Sequence, residues 1–169
     1  MKTTQATRHT VLDSPLGELT LVAEGDGLTG LYFEGQRRRP PREALGPREE
    51  NGFEAARQQL EEYFAGRRTR FDLRLAARGE RFQQRVWKLL EEIPYGETRS
   101  YGQLARELGD PALAQAVGAA NGRNPLCVVV PCHRVVGADG SLTGYAGGLE
   151  RKRALLDLEE SATGTERLF

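Results

Sequence analysis

Asn124-Pro125-Leu126-Cys127-Val128-Val129-Val130-Pro131-Cys132-His133-Arg134-Val135-Val136 is the stretch on which the reading of this chain turns. Leu126–Val130 is a continuous apolar run, the pattern of a strand buried on both faces. Pro131 cannot continue a central ladder, so the chain must turn there. The turn delivers Cys132 and His133. A thiol attacks as the thiolate, which at neutral pH takes a base, a cation or a helix N-terminus beside it. His133 has the chemistry of that base, oriented by a carboxylate from elsewhere in the chain. The same dipeptide also reads as a small buried hydrophobe beside a satisfied structural histidine, and alone it leaves both readings open.

Working outward toward the N-terminus, Ser100 and Gln103 have capping-box spacing. They open about two turns of helix from Tyr101 to Leu108, stopped by Gly109. Asp110 as N-cap and Pro111 at the first helical position start a second helix that runs to about Asn121. Two short helices joined by a tight glycine-containing turn form a helix-turn-helix. The second helix is small-faced: Ala112, Ala114, Ala116, Gly118, Ala119 and Ala120. That face suits close packing on a neighbouring helix and equally suits close approach to a narrow DNA groove. From Pro111 to Ala138 there is no Asp or Glu, while Arg123 and Arg134 supply positive charge, a local asymmetry that fits a phosphate backbone. Further back, Phe82, Val86, Leu89, Leu90 and Ile93 recur at helical spacing, closed by Pro94 and Gly96, with Trp87 as a core residue.

The first part of the chain reads as a small sheet. His9–Ser14, Glu18–Glu24 and Leu28–Phe33 are apolar-rich runs separated by Pro15-Leu16-Gly17 and Gly25-Asp26-Gly27. Arg37-Arg38-Arg39-Pro40-Pro41 reads as a solvated loop in preference to a nucleic-acid patch. Phe53, Leu60, Tyr63 and Phe64 make one face of a helix ended by Gly66, and Phe71–Leu75 alternates like a further strand. The boundary is expected near Ala76–Gly79. The fold class is therefore α+β, with a sheet-and-helix domain over 1–76 and a mostly helical domain over 80–169.

Composition bounds the partners. The 169 residues hold 24 Lys+Arg and 24 Asp+Glu, so the net charge is zero, whereas nucleic-acid binders are often basic overall. Distribution along the chain therefore carries more than the sum. No run of about 18 apolar residues offers a membrane span, and Met1–Thr10 has no apolar secretory core. The only cysteines are Cys127 and Cys132, which argues for reduced thiols and a cytoplasmic protein. With His9 and His133 the only histidines, a four-ligand Cys/His zinc site would consume every one of these residues.

The hexapeptide Pro131–Val136 resembles the active-site signature of the O6-alkylguanine-DNA alkyltransferases. Ser100-Tyr101-Gly102-Gln103-Leu104-Ala105 is similar to that family's first helix of the helix-turn-helix. Ala116–Pro125 is similar to its recognition helix and asparagine hinge, and Leu142–Leu149 to the loop over its alkyl pocket. The resemblance runs from Glu80 to Glu159; the first 75 residues match in outline, as a small ribonuclease-H-like domain.

What it implies is specific. Double-stranded DNA with an alkylated base is the partner, and the base must leave the duplex to reach a buried thiolate, drawn out through the minor groove. Cys132 takes the alkyl group, His133 acts as a water-mediated base oriented by Glu159, Tyr101 protonates the departing guanine, and Asn124 braces the turns. Tyr145 walls the alkyl pocket with Gly147 in the same loop, the Ala146 amide meets the O6 side, and carbonyls near Cys132 and Val135 receive the exocyclic amine. Gln115, Ala116, Gly118, Ala119, Arg123 and Arg134 face DNA. A thioether has no good leaving group, so each molecule acts once. No metal or organic cofactor is implied, and the chain is expected to be monomeric in solution with cooperative binding on DNA as an option. O4-alkylthymine is a second candidate substrate.

One position departs from the pattern: Gln115 stands where the family has an arginine that fills the place of the extruded nucleotide, and glutamine lacks the guanidinium's charge and stacking plane. The resemblance leaves one alternative, a lesion sensor that flips the base and recruits other repair factors; such relatives lack the cysteine. A turnover Cys-His hydrolase and a helix-turn-helix regulator are the other classes. The charged tail from Glu160 to Phe169 is expected to be loose.

Overall fold

The computed structural model describes residues 6–163. Strands β1 (Thr7–Leu12), β2 (Leu19–Glu24) and β3 (Gly27–Phe33) form an antiparallel sheet in the order β1-β2-β3. The three apolar runs thus become the three strands, joined by the two expected turns; Ser14 braces the first by donating its hydroxyl to the Gly17 carbonyl at 2.6 Å. The central strand is buried from Leu19 to Ala23. Helix α1 (Glu54–Phe64) presents Ala56, Leu60 and Tyr63 to the core, and Gly66 follows with φ 77°.

Two expectations about strands need correction. Phe71–Leu75 makes a single bridge, Leu28 with Leu75, held by Leu28 N–H to the Arg74 carbonyl at 2.9 Å and Ala76 N–H to the Leu28 carbonyl at 2.7 Å. It cannot extend, because further along β3 the backbone is taken by another segment: Leu31 N–H donates to the Pro125 carbonyl at 2.8 Å. The free edge of β3 is divided between two visitors, one bridge each.

The second correction concerns Leu126–Val130, which is buried as expected but is not a strand. After the bridge at Leu126 the chain coils, with Val129 N–H on the Cys127 carbonyl at 2.8 Å and Val130 N–H on the Leu126 carbonyl at 2.9 Å. Val128 sits at φ 74°, a left-handed conformation that a β-branched residue adopts only when its surroundings over-determine it. Periodicity cannot tell a buried coil from a buried strand when every residue is apolar.

The second half follows the sequence more closely. Helix α2 (Arg81–Glu91) buries Val86, Trp87 and Leu90. Trp87 is core, as expected, and its indole N–H donates to the Ala120 carbonyl at 2.8 Å. The capping box forms: Gln103 N–H meets Ser100 Oγ at 3.1 Å, and Ser100 N–H meets Gln103 Oε1 at 2.7 Å. It opens α3 (Tyr101–Glu107), and Gly109 follows with φ 102°. Asp110 Oδ1 caps the Ala112 N–H at 2.9 Å. The next turn is 3-10, over Pro111–Leu113, before α4 (Ala114–Gly122) begins.

Unannounced by the sequence is a short parallel pair, β4 (Arg99–Ser100) with β5 (Val135–Val136), which ties the start of α3 to the residues after Cys132. Helix α5 (Leu149–Thr163) continues through Glu160–Thr163, so the first part of the expected loose tail is helical; residues 164–169 lie outside the described residues. Among the described residues no helix is long and apolar enough to cross a membrane.

Candidate active site

Cys132 opens a 3-10 turn, Cys132–Arg134, between the coiled apolar segment and β5. Two asparagines brace it. Asn124 Nδ2 donates to the Val130 carbonyl at 2.9 Å while its Oδ1 accepts from Leu126 N–H at 3.0 Å, so one side chain spans both ends of the coil. Asn121, on α4, donates to the Cys132 carbonyl at 3.4 Å. The strained Val128 is enclosed by the segment these bonds fix.

Behind the turn lies a buried charge network. His133 Nε2 meets Glu159 Oε2 at 2.7 Å. Arg134 grips the same carboxylate twice, Nε to Oε1 at 2.8 Å and Nη2 to Oε2 at 2.9 Å, and also donates to the Ile93 carbonyl at 2.7 Å. Tyr63, from α1, donates its hydroxyl to Glu159 Oε2 at 2.6 Å.

Burial alone would raise the Glu159 carboxyl, but the hydrogen bonds and charges of His133 and Arg134 outweigh it and bring it down to about 2. Burial also lowers His133 from its ordinary value, against the pull of Glu159, so the ring is neutral at pH 7. With Nε2–H given to Glu159, Nδ1 is the basic nitrogen, and it is buried with no hydrogen-bond partner in the described structure. Nδ1 is therefore the proton-accepting position of the ring.

The Cys132 thiol is held below its ordinary value first by the hydrogen bond from the Cys127 thiol, then, against burial, by the Asn124 amide and the charge of Lys152. Cys127 has one S–H and two acceptors, since Gln36 Oε1 lies 3.7 Å from its sulfur. An ionised sulfur is the stronger acceptor, so the proton turns to Cys132 once that thiolate forms. Cys127 itself is pushed well up, by its bond to Cys132 and by burial. Lys152 is buried, its ammonium donating to the Thr143 carbonyl at 2.6 Å and the Gly144 carbonyl at 3.3 Å. Burial lowers it to about 8, which leaves it largely charged at pH 7.

A cavity of about 230 Å³ opens beside this centre, lined by Tyr101, Ala119, Asn121 and Arg123 on the helix-turn-helix side and by Gly144, Tyr145 and Ala146 on the other. The Tyr101 hydroxyl donates to the Thr143 carbonyl at 3.2 Å. Gly147 is a glycine of necessity: a Cβ there would stand 2.8 Å from the Phe33 ring and 2.9 Å from the Tyr145 ring. Cys132 lies behind the cavity wall, 2% exposed, with Asn121 bonded to its carbonyl.

The structure gathers Cys132, His133, Glu159 and Asn124 into one buried centre and places Tyr101, Tyr145 and Ala146 at its mouth. Val135 is fully buried in β5, next to the turn, and Gly147 closes the pocket loop. Gln115, Ala116 and Ala119 are exposed on α4, with Gly118 partly so. Arg134 is the correction. Expected at DNA, it is 6% exposed and its guanidinium is turned inward onto Glu159 and the Ile93 carbonyl, so it holds the network together.

Sequence reasoning missed Tyr63, Cys127 and Lys152. Tyr63 reads in the sequence as helix core and Cys127 as one residue of an apolar run, while Lys152 belongs to no motif singled out above. Only the last carried a usable signal, as a cation three residues beyond the end of the pocket loop.

A helix-turn-helix whose second helix lines the mouth of a buried Cys-His-Glu centre defines a DNA-binding protein with a nucleophilic thiol. The 6-O-methylguanine DNA methyltransferase DNA binding domain matches residues 81–161, and the ribonuclease-like domain of the same family matches residues 7–77. A methylated-DNA–protein-cysteine methyltransferase of Mycobacterium bovis is 54% identical over 153 residues, 90% of this chain and 92% of the relative. One from Methanosarcina acetivorans is 46% identical, covering 90% of this chain and 98% of the relative. The crystal structure of Mycobacterium tuberculosis OGT in complex with DNA superposes with a TM-score of 0.86 at 53% identity, covering 92% of this chain and 94% of that one. The chain belongs to the O6-alkylguanine-DNA alkyltransferase family, with its α+β fold of a ribonuclease-like N-terminal part and a DNA-binding C-terminal part.

Proposed function

We propose that this protein repairs DNA by transferring the alkyl group of O6-alkylguanine irreversibly to Cys132. The observation that carries the reading is the buried Cys132, with a lowered thiol and a neutral His133 beside it, set directly behind a cavity rimmed by the second helix of the helix-turn-helix. The relatives' names describe this activity for them.

The reaction balances without a cofactor. His133 Nδ1 takes the Cys132 proton through one water, and Glu159 and Arg134 hold the ring in the tautomer that allows it. The thiolate sulfur attacks the alkyl carbon in line; the S–C bond forms as the C–O6 bond breaks, and its electron pair leaves with guanine. Tyr101 gives the leaving base a proton, recovered from His133 through solvent. The Ala146 amide steadies the O6 side, and Tyr145 and Gly147 shape the alkyl pocket.

Because Cys132 lies behind the cavity wall, the base has to be extruded from the duplex to meet it. The small face of Ala116, Gly118 and Ala119 then lies in the minor groove, Gln115 fills the vacated stack, and Arg123 meets phosphate. Each molecule reacts once, with double-stranded DNA as a monomer, and O4-alkylthymine fits the same chemistry. The division into domains over 1–76 and 80–169 and a cytoplasmic setting belong to this reading.

The test is stoichiometry. An oligonucleotide carrying O6-methylguanine, given in excess, should be repaired to a plateau of one lesion per protein, and Cys132→Ala should repair none. Continued turnover, or repair by Cys132→Ala, contradicts the proposal; tight binding with no repair by the wild type gives the sensor reading.

A further inference from the structure

We propose that Arg37 and Arg38 form a phosphate clamp on the N-terminal side of the alkyl pocket, gripping the DNA strand from which the base is extruded. The inference rests on the reading of the site as a DNA alkyltransferase and adds a second wall to the DNA interface.

The clamp is built from the loop after β3. Gln36 is buried and closes a tight turn on Phe33: its Oε1 accepts from Phe33 N–H at 2.9 Å, and its own N–H donates to the Phe33 carbonyl at 3.2 Å. The next residue, Arg37, donates its N–H to the Ala146 carbonyl at 3.1 Å, which pins the loop to the pocket loop. Arg38 follows in a left-handed conformation, φ 61°. Both side chains are exposed, and both line the cavity that Tyr101, Ala119 and Tyr145 line from the other side. They also line the adjoining cavity of about 220 Å³, again with Arg123.

Charge gives the loop its partner. Arg37, Arg38 and Arg123 are the only charged residues around the first cavity, and all three are positive. Helix α4 brings no charge of its own between Ala114 and Gly122, so a strand crossing this mouth finds cations only from the flanks. Other arginines without a carboxylate partner among the described residues occur away from the cavity, Arg42, Arg67 and Arg106 among them, while Arg48, Arg57, Arg68, Arg74, Arg78 and Arg99 each meet a carboxylate. Among the described residues neither Arg37 nor Arg38 does, although acidic side chains are as numerous as basic ones. Arg39, by contrast, turns inward to the Phe33 carbonyl and the Thr20 hydroxyl. Two adjacent unpaired guanidiniums on a pinned loop match the fork geometry of phosphate oxygens.

The test is the salt dependence of binding to undamaged duplex DNA, measured by fluorescence anisotropy on the full chain. The double variant Arg37→Gln with Arg38→Asn is chosen because asparagine tolerates the left-handed backbone. Each lost phosphate contact lowers the slope of log K against log salt by roughly 0.9, so the double variant should lose nearly two and Arg37→Gln alone nearly one. Arg37→Lys with Arg38→Lys should keep most of the slope, and Arg67→Gln, outside both cavities, all of it. A wild-type slope in the double variant overturns the clamp, as does an equal loss in the Arg67 control. Alkyl transfer by the wild type is scored separately: its absence refutes the proposed function without touching the slope comparison.

Discussion

Tyr63, on α1, donates its hydroxyl at 2.6 Å to the same Glu159 oxygen that meets His133 Nε2 at 2.7 Å. A residue from the ribonuclease-like part of the chain thus helps to fix the carboxylate that orients the histidine beside Cys132. Under the proposed mechanism this contact makes Tyr63 a positioning residue, acting on His133 through Glu159.

Tyr63→Phe keeps the ring and its edge contacts with Phe64 and Tyr95 and removes only the donor. A hydrogen bond to a charged group contributes about 1.5–3 kcal/mol, so urea denaturation should show a loss in that range. Alkyl transfer should slow severalfold, and its pH profile should shift because Glu159 is held less firmly. A stability loss with an unmoved pH profile would make Tyr63 purely structural.

Acid should unfold the protein in two stages. His133 is lowered in the fold, so below its ordinary value of 6.5 the unfolded chain binds the extra proton and stability falls with pH. Glu159 is lowered to about 2 from 4.5, so its contribution is complete above 4.5 and is lost as pH falls toward 2. That descent corresponds to on the order of 3 kcal/mol. Urea midpoints at pH 7, 5.5 and 3.5 should fall in sequence. Flat stability across that range would contradict a charged, buried Glu159.

Gly147→Ala should damage the pocket locally. The new methyl would press on the Phe33 and Tyr145 rings at 2.8 and 2.9 Å, and overpacking of this kind costs about 1–3 kcal/mol. Thermal unfolding should register that loss, and transfer should become more selective against larger alkyl groups, read as the ratio of O6-benzylguanine to O6-methylguanine rates in DNA. An unchanged ratio would show that Tyr145 does not shape the pocket.

Gln115→Arg should raise the repair rate on duplex DNA, because a guanidinium adds charge and a stacking plane at the exposed start of α4. Single-turnover rates on duplex and single-stranded substrates separate extrusion from chemistry. Only the duplex rate should rise; no gain would mean that extrusion does not depend on this side chain.

Much of this architecture is legible in the residues. Alternation and turn chemistry define β1 to β3, and capping residues Ser100, Gln103 and Asp110 place α3 and the start of α4 to within a turn. What escapes is long-range. Whether Phe71–Leu75 becomes a strand depends on who else occupies β3, and the Pro125–Leu126 visitor lies about fifty residues away. Val128 is apolar in either a strand or a coil, so composition cannot reveal its left-handed backbone. Arg134 sits next to the nucleophile in a stretch free of acids, which suggested DNA; its carboxylate partner arrives from α5. Likewise nothing in Arg37-Arg38-Arg39 shows that Gln36 and Ala146 pin this run beside the pocket.

The central claim is the identity of the accepting atom. Wild-type protein, incubated with duplex DNA containing O6-methylguanine and digested, should yield the Asn124–Arg134 peptide heavier by one methyl group in place of hydrogen. Fragmentation should place that methyl on Cys132, with Cys127 unmodified. A methyl on Cys127, on any other residue, or on none while the lesion disappears would contradict the account.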